Sequence, residues 1–304
     1  MHILVLGGCG FIGSHVVDVL LERGHHVRVL DRQPELFRAP LPKVEYVKGD
    51  FSDVALLAEA LTGIDAVAHL VSTTVPATSN VNPVADINGN LVNTLNLLSA
   101  MRTIGVGNIV YLSSGGTVYG IPQHDPITED HPTQPITSYG IVKLAIEKYL
   151  HMESYLHGLR QCVLRTSNPY GPRQGHGGVQ GVIGTYLWRI ARDKPIEIWG
   201  DGSVVRDFIY VRDIAELCAD ALEAQVSGVF NAGSGEGRSI LDVVDRIRTT
   251  TGRAIEPVFK QGRKFDVPRA VLDISRVQRD LGWKPRVSLD EGLALSWDWV
   301  SHQP

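Results

Sequence analysis

The stretch GGCGFIG at residues 7–13 decides the fold of this chain of 304 residues and directly follows the apolar run Ile3–Leu6. Its glycines Gly7, Gly10 and Gly13 recur at every third position, and a helical pattern follows them. Glycine allows a tight turn and a close approach of the backbone to a phosphate, and the free N–H groups at the start of a helix attract an anion. A strand, this turn and a helix in succession therefore predict a dinucleotide-binding site that includes Phe11 and Ile12.

An acidic residue, Asp31, follows the second apolar run, His26–Leu30, about 20 residues after the glycine turn. A carboxylate at this position accepts hydrogen bonds from ribose hydroxyls and repels a 2′-phosphate, which favours NAD over NADP. The adjacent Arg32 is a residue type that attracts such a phosphate, so NADP remains open on these residues alone. Asp50 and Phe51 close the third run, where the Asp50 carboxylate either accepts from the adenine amino group or caps the next helix.

Short β-branched or leucine-rich runs alternate with amphipathic helical patterns through the first two-thirds of the chain. The predicted strands are Ile3–Leu6, His26–Leu30, Val44–Lys48, Ala66–Leu70, Ile109–Ser113 and Gln161–Arg165. The predicted helices between them are Gly13–Arg23, Asp53–Leu61, Asn90–Ile104 and Tyr139–His157. This alternation predicts an α/β fold with a doubly wound parallel sheet of the Rossmann type, whose ligand lies at the carboxyl ends of the strands.

Glycines and prolines become frequent after Asn168, and further helices are predicted at Val211–Ala224, Ile240–Thr251 and Leu289–Val300. We therefore predict two units. Residues 1–167 form the NAD-binding domain, and residues 168–304 form a smaller mixed α/β lobe that binds the substrate and shares some elements with the first unit.

Composition and charge argue against several classes of protein. A hydrophobic fraction of 43% and a charged fraction of 20% are typical of a globular enzyme, and a net charge of −4 leaves no basic footprint for nucleic acid. No apolar stretch reaches membrane-spanning length, and the chain starts directly with a strand, so we expect no membrane span and no signal peptide. Cys9, Cys162 and Cys218 lack CxxC spacing, which predicts free thiols in a reducing cytoplasm and no metal site.

Tyr139 and Lys143 form the only Tyr-xxx-Lys of the chain. Two side chains at this spacing share one face of a helix, and a nearby ammonium group favours the phenolate, so we expect a tyrosine pKa lowered toward neutrality. Tyr139 is then a candidate general base for a substrate hydroxyl. In isolation the spacing more often marks a solvated helix pair, but its place after the fifth strand favours the catalytic interpretation.

Six motifs occur in order along the chain, and together they carry a family resemblance. They are GGCGFIGSH from residue 7, GDFSD from 49, SSGGTVYG from 113, SYGIVKLAIEKYL from 138, LRTSNPYGPRQ from 164 and WGDGSVVRDFIYVRDIA from 199. The chain resembles the extended short-chain dehydrogenase/reductase family, specifically its nucleotide-sugar branch typified by UDP-glucose 4-epimerase. The resemblance extends from Met1 to Pro285, nearly the whole chain.

The resemblance implies roles for individual residues, with Tyr139 as the base and Lys143 orienting the nicotinamide ribose. With the turn residues above, the predicted cofactor-binding residues are Gly7, Gly10, Phe11, Ile12, Gly13, Asp31, Arg32, Asp50, Phe51, Leu70, Val71, Ser72, Asn90, Ser113, Tyr139, Lys143 and Pro169. Asn168 would hold the sugar-nucleotide phosphate, and Arg206 and Arg263 would clamp the diphosphate. A surface salt bridge is the alternative for each arginine. The methyl group of Ala270 would leave room for an N-acetyl group.

The chain departs from the family pattern at Gly115, where a serine or threonine usually hydrogen bonds to the sugar and to the base. The nearest hydroxyls belong to Ser114 and Thr117, and we expect Thr117 to substitute. Sugar dehydratases of this family carry an acidic pair just before Val-Tyr-Gly, and decarboxylases usually carry a glutamate in that stretch. This chain has neither, and what remains is chemistry that needs only a base and NAD.

These features predict NAD-dependent epimerisation at C4 of a UDP-hexose or UDP-N-acetylhexosamine through a 4-keto intermediate. Two alternatives remain. One is a 4-keto-sugar reductase or reductase/epimerase that uses NADPH, against which Asp31 argues; the other is an NAD-sensing regulator without catalysis, which Gly115 keeps open. The resemblance also implies a homodimer built as a four-helix bundle from Asn90–Ile104 and Tyr139–His157, although the apolar faces of these helices are equally explained by core packing.

Overall fold

A computed structural model describes residues 1–175, 181–262 and 267–303. Its strands, numbered along the chain, are β1 (His2–Leu6), β2 (His26–Asp31), β3 (Val44–Lys48), β4 (Ala66–His69), β5 (Asn108–Ser114), β6 (Arg160–Thr166), β7 (Asn168–Tyr170), β8 (Glu197–Trp199), β9 (Val205–Tyr210), β10 (Gly228–Ala232), β11 (Gly237–Ser239), β12 (Val258–Lys260) and β13 (Arg269–Ala270). Its helices are α1 (Phe11–Glu22), α2 (Val54–Leu61), α3 (Pro76–Ser79), α4 (Pro83–Asp86), α5 (Asn93–Ile104), α6 (Ser138–His157), α7 (Val182–Ala191), α8 (Val211–Ala224), α9 (Ile240–Thr251), α10 (Ser275–Leu281) and α11 (Leu289–Ser301).

The main sheet contains seven parallel strands in the order β10-β6-β5-β4-β1-β2-β3. The order reverses at β1, which lies between β2 and β4, so the loops after β1 and β4 diverge to opposite faces. A ligand site is expected outside the carboxyl ends of the strands at such a reversal. The sheet confirms the predicted doubly wound Rossmann-type fold.

The central strand β1 is apolar throughout because both faces of the sheet are covered. Ile3 and Val5 belong to one core, which packs against α1 and α8. Leu4 and Leu6 belong to the other core, which packs against α2, α5 and α6. The period of two along the strand thus supplies two separate hydrophobic layers.

The predicted helix Asn90–Ile104 is not a uniform α-helix. Its beginning belongs to a π-helical turn at Ile87–Val92, and α5 follows from Asn93. The hydroxyl of Thr94 donates to the carbonyl oxygen of Asn90 at 2.7 Å, and the Asn93 amide donates to that of Gly89 at 3.2 Å. The widened turn buries the side chain of Asn90. Such turns occur frequently at functional sites.

A smaller mixed lobe follows in the C-terminal part, as predicted. Strand β9 pairs with β11 in antiparallel fashion and with β7 and β13 in parallel fashion, and β8 pairs with β12. A third core lies between α7, α9 and α11. Two later elements return to the main sheet, since β10 pairs with β6 and α8 packs on α1. The division at residue 167 remains a prediction.

Candidate functional site

A cavity of about 560 Å³ lies at the carboxyl ends of the main-sheet strands. It is bounded by the glycine turn after β1, the loop after β4, the end of β5, the first turns of α6 and the segment after β6. It brings together many of the predicted site residues, namely Gly7, Gly10, Phe11, Ile12, Gly13, Leu70, Ser72, Ser113, Ser114, Thr117, Tyr139, Lys143, Asn168, Pro169 and Arg206. None of the described lining residues carries a carboxylate.

The glycine turn has the geometry that a dinucleotide pyrophosphate requires. Gly7 has φ of +83°, in the left-handed region, and a Cβ at Gly13 would overlap the carbonyl oxygen of Gly7. Val71 packs against the turn, since a Cβ at Gly7 would lie 3.0 Å from its Cγ2. Helix α1 follows Gly10 without a side-chain cap. Its first N–H groups and its positive dipole end therefore fit a bound phosphate.

The end of β2 fits the adenosine ribose of NAD. The Asp31 carboxylate accepts hydrogen bonds from the backbone N–H groups of Cys9 and Gln33, each at 3.0 Å. It is thereby held beside the glycine turn, where its charge opposes a 2′-phosphate. The Arg32 guanidinium lies 3.6 Å from the Asp50 carboxylate and is already paired with an acid. These contacts favour NAD.

The alternative interpretation of Asp50 as a helix cap is wrong. The cap of α2 is Asp53, whose carboxylate accepts from the backbone N–H groups of Ala55 and Leu56. Asp50 instead accepts from the backbone N–H of Ser52 at 2.9 Å, and this hydrogen bond lowers the pKa of its carboxyl group. Its contact with adenine remains a prediction.

Phe51 and Asn90, like Asp31, Arg32, Asp50 and Val71, are predicted cofactor residues that are not among those that line the cavity. Phe51 is buried and packs against the ring of His69, with 5.7 Å between ring centroids. Asn90 is buried behind the loop after β4, where its Oδ1 accepts from the backbone N–H of Thr73 at 2.8 Å and its Nδ2 donates to the Asp86 carboxylate at 2.8 Å. Asn90 thus supports the loop that lines the cavity, and its direct contact with the cofactor stays a prediction.

Tyr139 is placed by the contacts that start α6. The hydroxyl of Thr137 accepts from the backbone N–H of Gly140 at 3.2 Å and caps the helix. The backbone N–H of Tyr139 itself donates to the hydroxyl of Ser79 in α3 at 3.1 Å. The phenol is hydrogen bonded to the Ser72 hydroxyl in the loop after β4 and faces the cavity.

Lys143 lies one turn further along α6 and is buried. Its ammonium group donates to the carbonyl oxygen of Leu112 in β5 at 2.8 Å. Nζ is 4.8 Å from the centroid of the Tyr111 ring and 5.6 Å from that of the Tyr139 ring. Burial lowers the pKa of Lys143 to about 8, against the opposing effect of Glu147 and Asp86. The shared helix face predicted for Tyr139 and Lys143 is therefore present.

The prediction of a lowered tyrosine pKa is wrong for this structure. Burial raises the pKa of Tyr139 to about 12, and the Ser72 hydrogen bond offsets this only in part. Lys143 directs its proton to Leu112, so the desolvation of the phenol outweighs the stabilisation of a phenolate.

Close packing explains why position 115 is a glycine. A Cβ at this position would lie 2.6 Å from Cδ1 of Leu272 and 2.9 Å from the carbonyl oxygen of Arg165. Thr117 and Ser114 both line the cavity. Within the described part of the chain, the Oγ1 of Thr117 is buried without a hydrogen-bond partner. Thr117 thus offers an unpartnered hydroxyl in the cavity lining, two residues after Gly115.

The substrate end of the cavity is built by β7 and β9. The side-chain amide of Asn168 donates to the carbonyl oxygen of Asp207 at 2.8 Å, and the Arg206 guanidinium donates to the carbonyl oxygens of Val205 at 2.9 Å and Val267 at 2.6 Å. A second cavity of about 240 Å³ adjoins the first and shares Asn168 and Arg206 with it. Trp199 contributes to its lining, and Arg206 stands at the junction of the two spaces.

The other two predicted substrate residues are Arg263 and Ala270. Arg263 lies outside the described residues. Ala270 pairs with Arg206 between β13 and β9 and packs against the small core that contains Tyr119 and Leu272. Ala270 is not among the residues that line either cavity.

Two buried acids behind the cavity escaped the sequence analysis. Glu147, one turn after Lys143, accepts a hydrogen bond from the Ser113 hydroxyl at 2.5 Å and pairs with the Arg165 guanidinium at 2.7 Å. The spacing of four residues between Lys143 and Glu147 was the sequence feature that could have identified this acid. Asp86 is fully buried next to Asn90, and no local pattern distinguishes it from a helix-capping acid.

In the described ranges, we find no helix with the length and apolar character needed to span a membrane. The same residues include no group of three or more His, Cys, Asp or Glu side chains arranged to hold a metal ion.

Comparison with known proteins agrees with this geometry. Residues 3–233 match the model of the NAD dependent epimerase/dehydratase family. The chain is similar to the UDP-glucose 4-epimerase of Mycolicibacterium smegmatis, at 37% identity over 313 residues that cover 100% of this chain and 99% of that protein.

Two solved structures are similar over almost their full length. A UDP-glucose 4-epimerase from Thermotoga maritima with UDP-glucose gives a TM-score of 0.93 at 36% identity, covering 98% of each chain. The UDP-glucose 4-epimerase of Thermus thermophilus in complex with NAD gives a TM-score of 0.92 at 35% identity, covering 99% of each chain.

Proposed function

The chain belongs to the NAD dependent epimerase/dehydratase family, and on this basis we propose that it epimerises a UDP-hexose or UDP-N-acetylhexosamine at C4, with NAD as cofactor. One observation carries the proposal. Tyr139 and Lys143 line the same cavity as the glycine turn and Arg206, and its described lining holds no acid. A base is available, whereas the carboxylates that expel water in a dehydratase are absent from these lining residues.

Tyr139 is the general base of this proposal. Its Oη takes the proton from the O4 hydroxyl when the 4-keto intermediate forms and gives it back when the sugar is reduced on its other face. A bound NAD would supply the hydride acceptor and donor for C4 and the positive charge of its nicotinamide ring. The pKa of about 12 means that Tyr139 needs nearby positive charge to act as a base. The buried ammonium group of Lys143 supplies such a charge below pH about 8.

Thr117 takes the place of the hydroxyl residue that Gly115 lacks. Its unpartnered Oγ1 is available to hydrogen bond to the sugar O4 or to the Tyr139 phenol. A buried hydroxyl without a partner is unfavourable by about 1–3 kcal/mol, and a bound substrate would relieve that penalty. Ser114 is the second hydroxyl at this edge of the cavity.

Arg206 and Asn168 bind the diphosphate in this proposal. Both line the large and the small cavity, so a group at their junction reaches both spaces. The guanidinium donates through one nitrogen to the backbone carbonyl oxygens of Val205 and Val267, which fixes its position at this junction, and guanidinium groups suit phosphate oxygens. The nucleoside then extends into the smaller cavity beside Trp199, and the sugar lies near Tyr139.

The direct test is incubation of the purified protein with UDP-glucose, UDP-galactose and their two N-acetyl analogues, with the bound NAD quantified. We expect interconversion within at least one of the two pairs without consumption of added cofactor. Absence of product from all four, with NAD present, would contradict the substrate assignment. Stoichiometric oxidation of added NADPH by a 4-keto sugar would instead indicate a reductase.

A homodimer is a second part of the proposal. Ile141, Tyr149, Met152 and Leu156 of α6 form an exposed apolar stripe at i, i+8, i+11 and i+15, with exposed fractions between 37% and 58%. Ile146 and Leu150 of the same helix are instead buried in the core, as the core-packing alternative predicts for them. The neighbouring α5 packs against α6, so two copies joined at this face would form a four-helix bundle.

A cytoplasmic location completes the proposal. Cys9, Cys162 and Cys218 are all buried free thiols. Burial raises the pKa of Cys9 to about 12, which agrees with a packing role and argues against a nucleophile. Unpaired cysteines are typical of a reducing compartment.

A further inference from the structure

Asp86, the last residue of α4, is a fully buried acid that the proposed reaction does not use. Its carboxylate accepts three hydrogen bonds from side chains. The Thr74 hydroxyl donates at 2.7 Å, the Asn90 amide at 2.8 Å and the Ser138 hydroxyl at 2.7 Å. Among the described residues, no basic side chain lies within ion-pair distance of this carboxylate.

The three donors belong to three segments that meet at the cavity. Thr74 lies in the loop after β4, two residues beyond Ser72, which is hydrogen bonded to the Tyr139 phenol. Asn90 lies in the π-helical turn and holds the backbone of that same loop at Thr73. Ser138 is the first residue of α6, immediately before Tyr139. Asp86 therefore connects both sides of the Ser72–Tyr139 contact.

Several titratable groups surround Lys143, and they differ in whether they carry a charge at pH 7. The titratable groups that face Lys143 are Tyr139 and Glu147 of α6, Tyr111 of β5, His69 of β4 and Asp86 of α4, with Arg165 of β6 behind Glu147. Burial lowers the pKa of His69 to about 3 and raises that of Tyr111, so both are neutral at pH 7.

The two acids near Lys143, Glu147 and Asp86, differ in the groups that they contact. Glu147 is paired with the buried guanidinium of Arg165. Asp86 receives only hydroxyl and amide donors, so its charge is not offset by an arginine. A buried ammonium group is expensive unless negative charge lies nearby. Glu147 makes the larger contribution of this kind to Lys143, and Asp86 adds a smaller one from the side of the cavity loop.

We propose that Asp86 is a positioning residue, which joins the loop after β4 to the first turn of α6 through its three hydrogen bonds and adds to Glu147 a second negative charge that stabilises the Lys143 ammonium group. The proposal rests on the proposed function for its catalytic consequence. Its electrostatic part concerns Lys143 alone and is independent of the substrate.

The test follows the lysine side chains by NMR during a pH titration of the NAD-bound protein, with Lys143→Met used to assign the signal. In the native protein the midpoint of Lys143 should lie below the ordinary lysine value, because burial lowers the pKa of its ammonium group. In Asp86→Asn the midpoint should fall by about one pH unit, because an opposite charge has been removed. The alkaline limb of kcat for the UDP-sugar should move to lower pH by the same amount, with KM changed less than kcat.

Two further variants separate charge, position and general destabilisation. Asp86→Glu keeps the charge but displaces it, so Lys143 should titrate as in the native protein while kcat falls about tenfold. Glu153→Gln is the matched control, because Glu153 is a second buried acid on α6 but pairs with Arg102 at 2.8 Å. The Glu153→Gln variant should change neither the titration of Lys143 nor the alkaline limb of kcat.

An unchanged Lys143 midpoint and a kcat within twofold of native in Asp86→Asn would overturn the proposal. If that variant does not fold by circular dichroism, Asp86→Glu decides, and native kcat in it would also overturn the positioning role. Absence of epimerisation by the native protein would contradict the proposed function, whereas the NMR titration would still test Asp86.

Discussion

Leu272 fills the space that a side chain at position 115 would need, with its Cδ1 at 2.6 Å from the position of a Cβ on Gly115. Leu272 is buried with Val118, Tyr119 and Ile127, and its backbone N–H donates to the Asp207 carboxylate at 3.3 Å. A residue from a distant part of the chain therefore occupies the space that a serine or threonine side chain at position 115 would need. The glycine is part of a packed pair and does not leave an empty space.

This pair predicts non-additive stability. Gly115→Ser should destabilise the fold by about 1–3 kcal/mol through overpacking, and Leu272→Ala by about 2–5 kcal/mol through cavity formation. The double variant should lose at least about 1 kcal/mol less than the sum, because the smaller residue removes the overlap with Leu272 and leaves only the close approach to the Arg165 carbonyl oxygen. Urea unfolding of the four proteins measures this coupling. Strict additivity would show that Leu272 does not restrict position 115.

Tyr139→Phe removes the proposed base without changing the helix. We expect kcat to fall by about 10²–10⁴-fold, the range typical of a general base, while bound NAD is retained. The glycine turn and Asp31, which hold the cofactor in this proposal, are untouched by the substitution. Initial rates with a UDP-sugar and the NAD content of the purified variant measure both effects. Near-native turnover would remove Tyr139 from the mechanism.

The hydroxyl of Thr117 predicts a graded series. Thr117→Val, which is close in shape but lacks the hydroxyl, should lower kcat by about 10–100-fold, and Thr117→Ser should restore most of it. Ser114→Ala should have a smaller effect than Thr117→Val if Thr117 is the functional substitute. The reverse order would assign the role to Ser114. Circular dichroism of each variant serves as the control for folding.

The exposed stripe on α6 predicts a dimer that charge can disrupt. The double variant Tyr149→Glu and Met152→Glu would place four like charges in the proposed bundle, and we expect it to sediment as a monomer at micromolar concentration. Leu295→Glu is the matched control, because this leucine of α11 is 44% exposed and lies outside the stripe. A native protein that sediments as a monomer would contradict the dimer.

The buried His15 predicts a loss of stability in acid. Burial lowers its pKa to about 4, although its Nε2 donates to the carbonyl oxygen of Pro172 at 3.0 Å. Between pH 6.5 and 4 the unfolded chain therefore binds a proton that the folded chain rejects, so stability falls as the pH decreases. The loss from this residue reaches about 3 kcal/mol below pH 4.

His15→Gln tests that loss, because glutamine retains a donor for Pro172 but does not titrate. The free energy of unfolding, measured in urea from pH 7 to pH 4, should fall less steeply in the variant. Some acid sensitivity should remain, because burial lowers the pKa of His69 in the same direction. Identical slopes in both proteins would show that His15 does not carry the effect.

Sequence patterns predicted those elements well whose formation depends on residues close together in the chain. The runs around β1 to β6 gave strand positions within one residue of those observed, since apolar runs buried on both faces of a parallel sheet are easily recognised. Helix α7 was not predicted, and the helix around Asn90 was read without its π-helical turn. That turn depends on side chains competing for backbone carbonyl oxygens, which no periodicity reveals.

The sequence by itself determined the cofactor cradle and the helix face shared by Tyr139 and Lys143. The glycines and the start of α1 act on their own backbone, and an i, i+4 pair requires only a helix. Only the tertiary structure decided that Leu272 accounts for Gly115, that Asp86 and Glu147 lie behind Lys143, and that the pKa of Tyr139 rises. These features depend on burial and on contacts between segments far apart in the chain, and desolvation exists only once those segments have packed.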